Sequence, residues 1–202
     1  MDPIVIVLII VILALAVAGF ILWKRQQDKQ RKERRPAGVD PFSSADDDSV
    51  RGNPRTLKPG DIVEIRGTDY AVRGTLHLSE GSYSWMEAFL DTGVGDKMWL
   101  SVEDDPDLEV VVWREVKGAT IQPGGRTVEL DGRSYNSDES GEAQFVGEAT
   151  TGLAERGMMR YHDYESGDGT RLSFEDFTGK WEVARGEVLR GNEYKIFPVN
   201  ND

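Results

Sequence analysis

"WLSVED", residues 99–104, returns as "RLSFED", residues 171–176. A shift of 72 positions lays residues 86–116 on residues 158–188 without a gap and leaves eleven identities in thirty-one positions. Average composition gives roughly two by chance. Upstream, "VEIRGTDY" (63–70) matches "VELDGRSY" (128–135) at a shift of 65, so the second copy carries seven extra residues, expected around "NSDESGE" (136–142). A solenoid needs more and shorter repeats. Two long copies mean an internal duplication, with related halves packed about a pseudo-two-fold axis. The first copy spans residues 57–117 and the second 123–199, together making one domain over residues 57–202.

Each copy reads as short strands. "DIVEI", "SWMEAFLD", "KMWLSVE" and "LEVVVWREV" in the first half, and "TVEL", "MMRYHDY", "TRLSFEDF" and "WEVARGEV" in the second, are rich in β-branched and aromatic residues. Turn residues such as Pro59–Gly60 and Gly93–Asp96 separate them. A last strand, "EYKIFPV" (193–199), closes the series. The expected class is all-β, a duplicated antiparallel subdomain forming a sandwich or a barrel.

Composition limits the chemistry. The 202 residues include no cysteine, so disulfides, thiolate metal sites and thiol nucleophiles are excluded. His77 and His162 are the only imidazoles, too few for a multi-histidine centre. The formal charge is -12, yet the residues up to Arg35 carry a net +4, which leaves -16 for the rest. A domain that acidic repels phosphate backbones, so nucleic acid is not an expected partner. Solubility alone also accounts for a surplus of acid.

The amino end has a different character. "IVIVLIIVILALAVAGFILW", Ile4–Trp23, runs without a charge. About twenty residues at about 1.5 Å each reach about 30 Å, the thickness of a bilayer's hydrocarbon core. Only "MDP" precedes the run and the flank after it is basic, so residues 1–23 are read as an uncleaved transmembrane helix. Lys24, Arg25, Lys29, Arg31, Lys32, Arg34 and Arg35 crowd the segment 24–35. Positive flanks stay cytoplasmic, which places the amino terminus outside the inner membrane and the domain inside the cell. The same cations either lie along anionic headgroups or serve only as the topology signal. Residues 36–56, rich in Pro, Gly, Ser and Asp, read as a flexible linker. The lipid bilayer and a protein at the membrane are the expected partners.

The repeated motif supplies the first candidate site. Glu103 with Asp104 and Glu175 with Asp176 form matched acidic pairs suited to a polyamine or a divalent cation. The bland alternative has Ser and Asp bonding their own turn while Leu faces the core, and it is the favoured one. Neither copy resembles a D-x-D-x-D-G calcium loop. Trp85 and Trp99 stand where the second copy has Gly157 and Arg171, which suggests solvent or a partner, although most tryptophans are expected in the core. His162 and Asp163 are neighbours in a strand and so point to opposite faces. No G-x-S-x-G, G-x-x-x-x-G-K-[ST] or H-E-x-x-H motif is present, and no catalytic residue, metal or cofactor is assigned.

At "LKPGDIVEIRGTDYAVRG", "SWMEAFLD" and "WLSVED" the chain resembles a bacterial family known as domain of unknown function 4178. The matching features are the Pro59–Asp61 turn, the Gly67/Tyr70 hairpin, Trp85 with Glu87, and the Trp99–Leu100 pair. The likeness covers about residues 57–199, and the anchor resembles that of an actinobacterial membrane member. The second copy departs from the W-x-E pattern at Gly157 and Met159, so a site built on that pattern exists once. The resemblance implies no established activity. It associates such chains with spermidine-synthase-like proteins and envelope stress, hence with an accessory role to such an enzyme. The expected function is a binding or scaffold module, with a polyamine- or cation-binding regulator as the alternative.

Overall fold

The structure, a computed structural model, describes residues 51–104 and 107–199. The expected span at residues 1–23, the basic segment 24–35 and the linker as far as residue 50 lie outside the described residues. Among the described residues no helix is long and apolar enough to cross a membrane.

Eleven strands follow one another: β1 (Ile62–Ile65), β2 (Thr68–Glu80), β3 (Tyr83–Asp91), β4 (Met98–Asp104), β5 (Leu108–Glu115), β6 (Thr127–Leu130), β7 (Arg133–Ala149), β8 (Arg156–Ser166), β9 (Arg171–Asp176), β10 (Glu182–Val188) and β11 (Tyr194–Phe197). Eight of them close an antiparallel barrel in the order β2-β3-β4-β5-β10-β9-β8-β7, with β2 bonded back to β7. Strands β1 and β11 continue beyond β2, and β6 beyond β7. Of the two architectures left open by the sequence, the barrel is the one adopted. Closure removes the exposed edges that eight open strands would leave.

The order reads the same from either end when each strand is replaced by its counterpart in the other copy. Counterparts β5 and β10 pair with each other, as do β2 and β7. The hairpin turns match as well. Arg66 and Gly67 take φ of 50° and 82°, and Asp131 and Gly132 take 51° and 75°. Two successive positive φ values define the tight turn whose twist suits a two-residue hairpin. The chain leaving each half crosses to the other: Val116 N–H donates to Val183 O and Leu189 N–H to Val110 O, both at 2.8 Å.

Pairing corrects the ungapped alignment in two places. Leu78 lies opposite Trp85 and Phe145 opposite Gly157, so the body of β2 and β7 is offset by 67 while β3 and β8 keep 72. The insertion is therefore divided. Two extra residues sit inside β7, which holds Asn136–Glu142 and a bulge after Ser137, and the other five lengthen its connection to β8 beyond the two-residue Gly81–Ser82 turn. At the far end Leu100 faces Val112 whereas Leu172 faces Arg185, an offset of 73.

Period-2 alternation sorts each strand into two faces. In β3 and β4, Met86, Ala88, Leu90, Met98, Leu100 and Val102 pack with Val63 and Ile65 of β1 and Tyr194 and Ile196 of β11. In the second half Tyr164, Leu172 and Phe174 pack with Val128, Tyr135 and Val183. A third cluster, of Leu76, Leu78, Ala143, Phe145, Met159 and Tyr161, joins the halves along β2 and β7. Each half thus has its own apolar core on the strand faces turned away from the barrel interior. The carboxyl end of the expected linker belongs to this domain: Pro54 is buried in a 3-10 turn, Arg55 pairs with Asp104 at 2.7 Å, and Leu57 enters the first core. Trp85, Trp99, Trp113 and Trp181 are half-buried, not enclosed in the core as expected.

Candidate functional site

The alternate faces of the same strands meet inside the barrel. Glu87 of β3, Glu103 of β4, Asp163 of β8 and Glu175 of β9 line one cavity, with Glu139 of β7 at its border. Trp85, Trp113 and Tyr161 supply aromatic walls, and Ser101 and Ser173, counterparts in the repeated motif, both face in. No lysine or arginine lines the space. It offers about 70 Å³ to the centres of water-sized spheres. One water needs about 10–15 Å³ by that measure, so several fit.

Local hydrogen bonds fix the walls. The Trp85 indole N–H donates to Glu87 Oε1 at 3.1 Å, and Trp113 donates to Ser101 Oγ at 2.9 Å. The Tyr161 hydroxyl donates to Glu80 Oε2 at 2.6 Å. Trp85 meets Tyr161 edge to face with centroids 5.8 Å apart. Gly186 leaves room for Trp113: a Cβ there would lie 2.5 Å from the indole ring.

The electrostatics follow from burial and crowding. Glu87 is 5% exposed, and burial pushes its carboxyl from 4.5 up to about 7 against the pull of Trp85. Asp163 is raised to about 7, first by burial and then by Glu87, Glu139 and Asp138, while a hydrogen bond from Ser173 opposes the rise. Glu175 is raised well above the usual range by burial and by the charges of Glu87, Asp163 and Glu182. Burial also raises Glu103, partly offset by Tyr83 and Arg171. Asp163 Oδ1 is sealed from solvent and has no hydrogen-bond partner. Among the described residues no three acidic or histidine side chains come together closely enough to hold a metal ion.

Of the residues singled out in the sequence, Trp85, Glu87, Glu103 and Glu175 meet in this cavity. Asp104 and Asp176 do not, because they fall on the opposite strand face. Asp104 pairs with Arg55 outside, and Asp176 accepts the Thr178 and Gly179 N–H groups and binds Arg160. Trp99 stacks on Phe89 at 4.8 Å, beyond the cavity lining. The motif therefore splits within itself, its glutamates converging and its aspartates turning out. Asp163, Tyr161 and Met159 complete the wall, and their signal was the i, i+2, i+4 spacing in "MMRYHDY". His162, on the other face, stacks on Tyr164 at 4.5 Å.

The profile of the domain of unknown function DUF4178 matches residues 58–191, the barrel almost whole. The chain belongs to the DUF4178 family. Uncharacterized proteins of Mycobacterium bovis and Mycobacterium tuberculosis are each 35% identical over 201 residues, covering 95% of this chain and 96% of theirs. No solved structure matches. A DUF4178 barrel with this interior presents carboxylates, rings and hydroxyls to whatever enters it.

Proposed function

We propose that this DUF4178 protein is a membrane-anchored binding module whose barrel takes a small organic cation, polyamines included, into its interior. The observation that carries the reading is the single cavity in which carboxylates from both copies meet between aromatic walls without a basic neighbour in the lining. Rings beside acids suit a cation with an apolar body, since the quadrupole and the charge attract together. Among the described residues no three acids come close enough to hold a metal ion, which favours an extended organic ion over Mg²⁺ or Ca²⁺.

The anchor is read from Ile4–Trp23 and the basic residues Lys24–Arg35, with the barrel on the cytoplasmic side. The match to the mycobacterial relatives covers 95% of this chain and so takes in most of the segment ahead of the barrel. We attribute the matched strand order to duplication of a five-strand unit about a pseudo-two-fold axis through the Trp113–Gly186 pair. Offset by 73 and directly opposed in the β5–β10 register, that pair maps onto itself.

Calorimetry on the full chain in lipid nanodiscs tests the reading. Spermidine and putrescine should give saturable heats that Glu87→Gln and Glu103→Gln each weaken, with little heat from Mg²⁺. The absence of heat from every cation would overturn it. Protease added to spheroplasts tests the orientation: the barrel should survive until the membrane is broken.

A further inference from the structure

We propose that the interior recognises a primary ammonium through its N–H donors, so that a slim aliphatic diamine fits where a quaternary ammonium of the same charge does not. The inference rests on the reading of the interior as a cation site and names the group it holds.

The balance of donors and acceptors leads there. Asp163 Oδ1 is closed off from water and accepts nothing. Glu87, 5% exposed, takes its hydrogen bond from Trp85 on one oxygen only. Of the wall's own donors Trp113 is committed to Ser101, Tyr161 to Glu80, Ser173 to Asp163 and Tyr83 to Glu103, which leaves the single hydroxyl of Ser101 among four carboxylates. Arg171, the cation that acts on Glu103, is held by Glu109, Asp138 and Glu165 at 3.2–3.3 Å. An ionised carboxylate offers about four lone-pair sites, and one left empty out of water is costly. The missing component is therefore a donor that comes from outside.

Three carboxylates on three different strands, Glu87, Asp163 and Glu175, line the one cavity, where Glu87 raises the proton affinity of the other two and Asp163 that of Glu175. A metal ion is unsuited, because among the described residues no three such groups come close enough to hold one. A guanidinium donates in a plane and pairs best with a single carboxylate edge-on. A quaternary ammonium satisfies the rings but brings no N–H, and the Glu87 carboxylate keeps Trp85 as its one donor. A primary ammonium projects its three donors around a compact head. Its methylene stem can lie along Trp85 and Met159, which border the same space.

The test compares putrescine with its fully N-methylated bis-quaternary analogue by calorimetry on the full chain in nanodiscs, at about pH 8, above the value of about 7 to which Glu87 and Asp163 are raised. Hydrogen bonds to a charged group predict that methylation weakens binding at least about tenfold. Asp163→Asn should reduce the preference for putrescine over the methylated analogue, and Glu175→Gln provides a second variant if the first fails to fold. Equal affinity of the wild-type chain for both ligands would overturn the N–H inference and leave the cation site standing. Binding of neither would overturn both.

Discussion

Where the two halves of the barrel face each other, they exchange rings for glycines. The first lines the interior cavity with Trp85 and Trp113; the second answers with Gly157 and Gly186. On the outer faces Leu100 and Leu172 keep one fully buried place in common, while Ala88 and Leu90 of the first half give way to Arg160 and His162. The contrast has a steric cause. A Cβ on Gly157 would meet the Phe145 ring at 2.8 Å, and one on Gly186 would meet Trp113 at 2.5 Å. A shared interior has one volume, so a ring gained on one wall must be vacated on another. The separate cores share no volume and are free to differ, as Met86, 9% exposed, and its counterpart Met158, 52% exposed, show.

The largest expected effect tests whether the two cores belong to one cooperative unit. Leu100→Ala and Leu172→Ala should each cost about 2–5 kcal/mol, the range for a buried leucine that leaves a cavity. Because β5–β10 and β2–β7 tie the halves into a ring, denaturant melts of both variants should show one transition. Two separated transitions, each moved by one mutation alone, would mean that the halves fold independently.

Next in size is the exchange of volume at the seam. Gly186→Ala should destabilise by about 1–3 kcal/mol, because the new methyl is forced into the indole. Placed in a Trp113→Leu background, the same substitution should cost much less. A double-mutant cycle reads this coupling directly, and additive costs would show that Gly186 is not there to make room for the ring.

The interior acids supply a comparison of the barrel with its own surface. Glu87 and Asp163 have carboxyls raised to about 7 from ordinary values of 4.5 and 3.8. The folded state therefore holds protons that the unfolded chain has released, and stability falls as pH rises from about 4 through about 7. Exposed Asp168, lowered to about 2 by Ser166 and Thr170, acts in the opposite direction and only below about pH 4. Thermal melts should be highest near pH 5 and lower at pH 8, by on the order of 1–3 kcal/mol for the interior acids. Glu87→Gln should flatten that slope. A slope unchanged in Glu87→Gln and Asp163→Asn together would place the titrating groups elsewhere.

Much of this comparison was legible before any coordinates. The doubled motif, the Gly67/Tyr70 hairpin and the strand runs rich in β-branched and aromatic residues each rest on local rules of spacing and composition. Barrel closure was not legible, because it depends on residues 74–79 meeting 144–149 across a long stretch of chain with no local mark. Nor was the polarity of the interior. A period of two says which residues share a face, and leaves open which face lines the cavity. Glu103 and Glu175 could thus be named as candidates while Asp163 was weighed only as a neighbour of His162. The one-residue slip to an offset of 73 is likewise invisible to identities, since Val111 and Val183 match at 72 while pairing makes Val112, opposite Leu100, the counterpart of Arg185, opposite Leu172.

The smallest expected effect lies in the last letter of the motif, where identical residues have unequal surroundings. Asp176 is 4% exposed and accepts the backbone N–H groups of Thr178 and Gly179 while binding Arg160. Replacing it by alanine leaves two turn amides without their acceptor, at a cost of about 1–2 kcal/mol. Asp104 lies in solvent, and its Arg55 partner belongs to the segment that enters the domain. An exposed pair of this kind contributes little, since water and salt screen both charges. Asp104→Ala should therefore leave the melting temperature unmoved, in low salt or high. The two substitutions also make different claims about acid. The Asp176 carboxyl is held below its ordinary value, chiefly by Arg160, so its contribution is present above about pH 4 and disappears as pH falls further. Melts of Asp176→Ala and wild type should accordingly converge toward pH 3. If Asp104→Ala proved the more damaging of the two, the docking of Arg55 would be holding the barrel together, and the domain boundary would have to move into the linker.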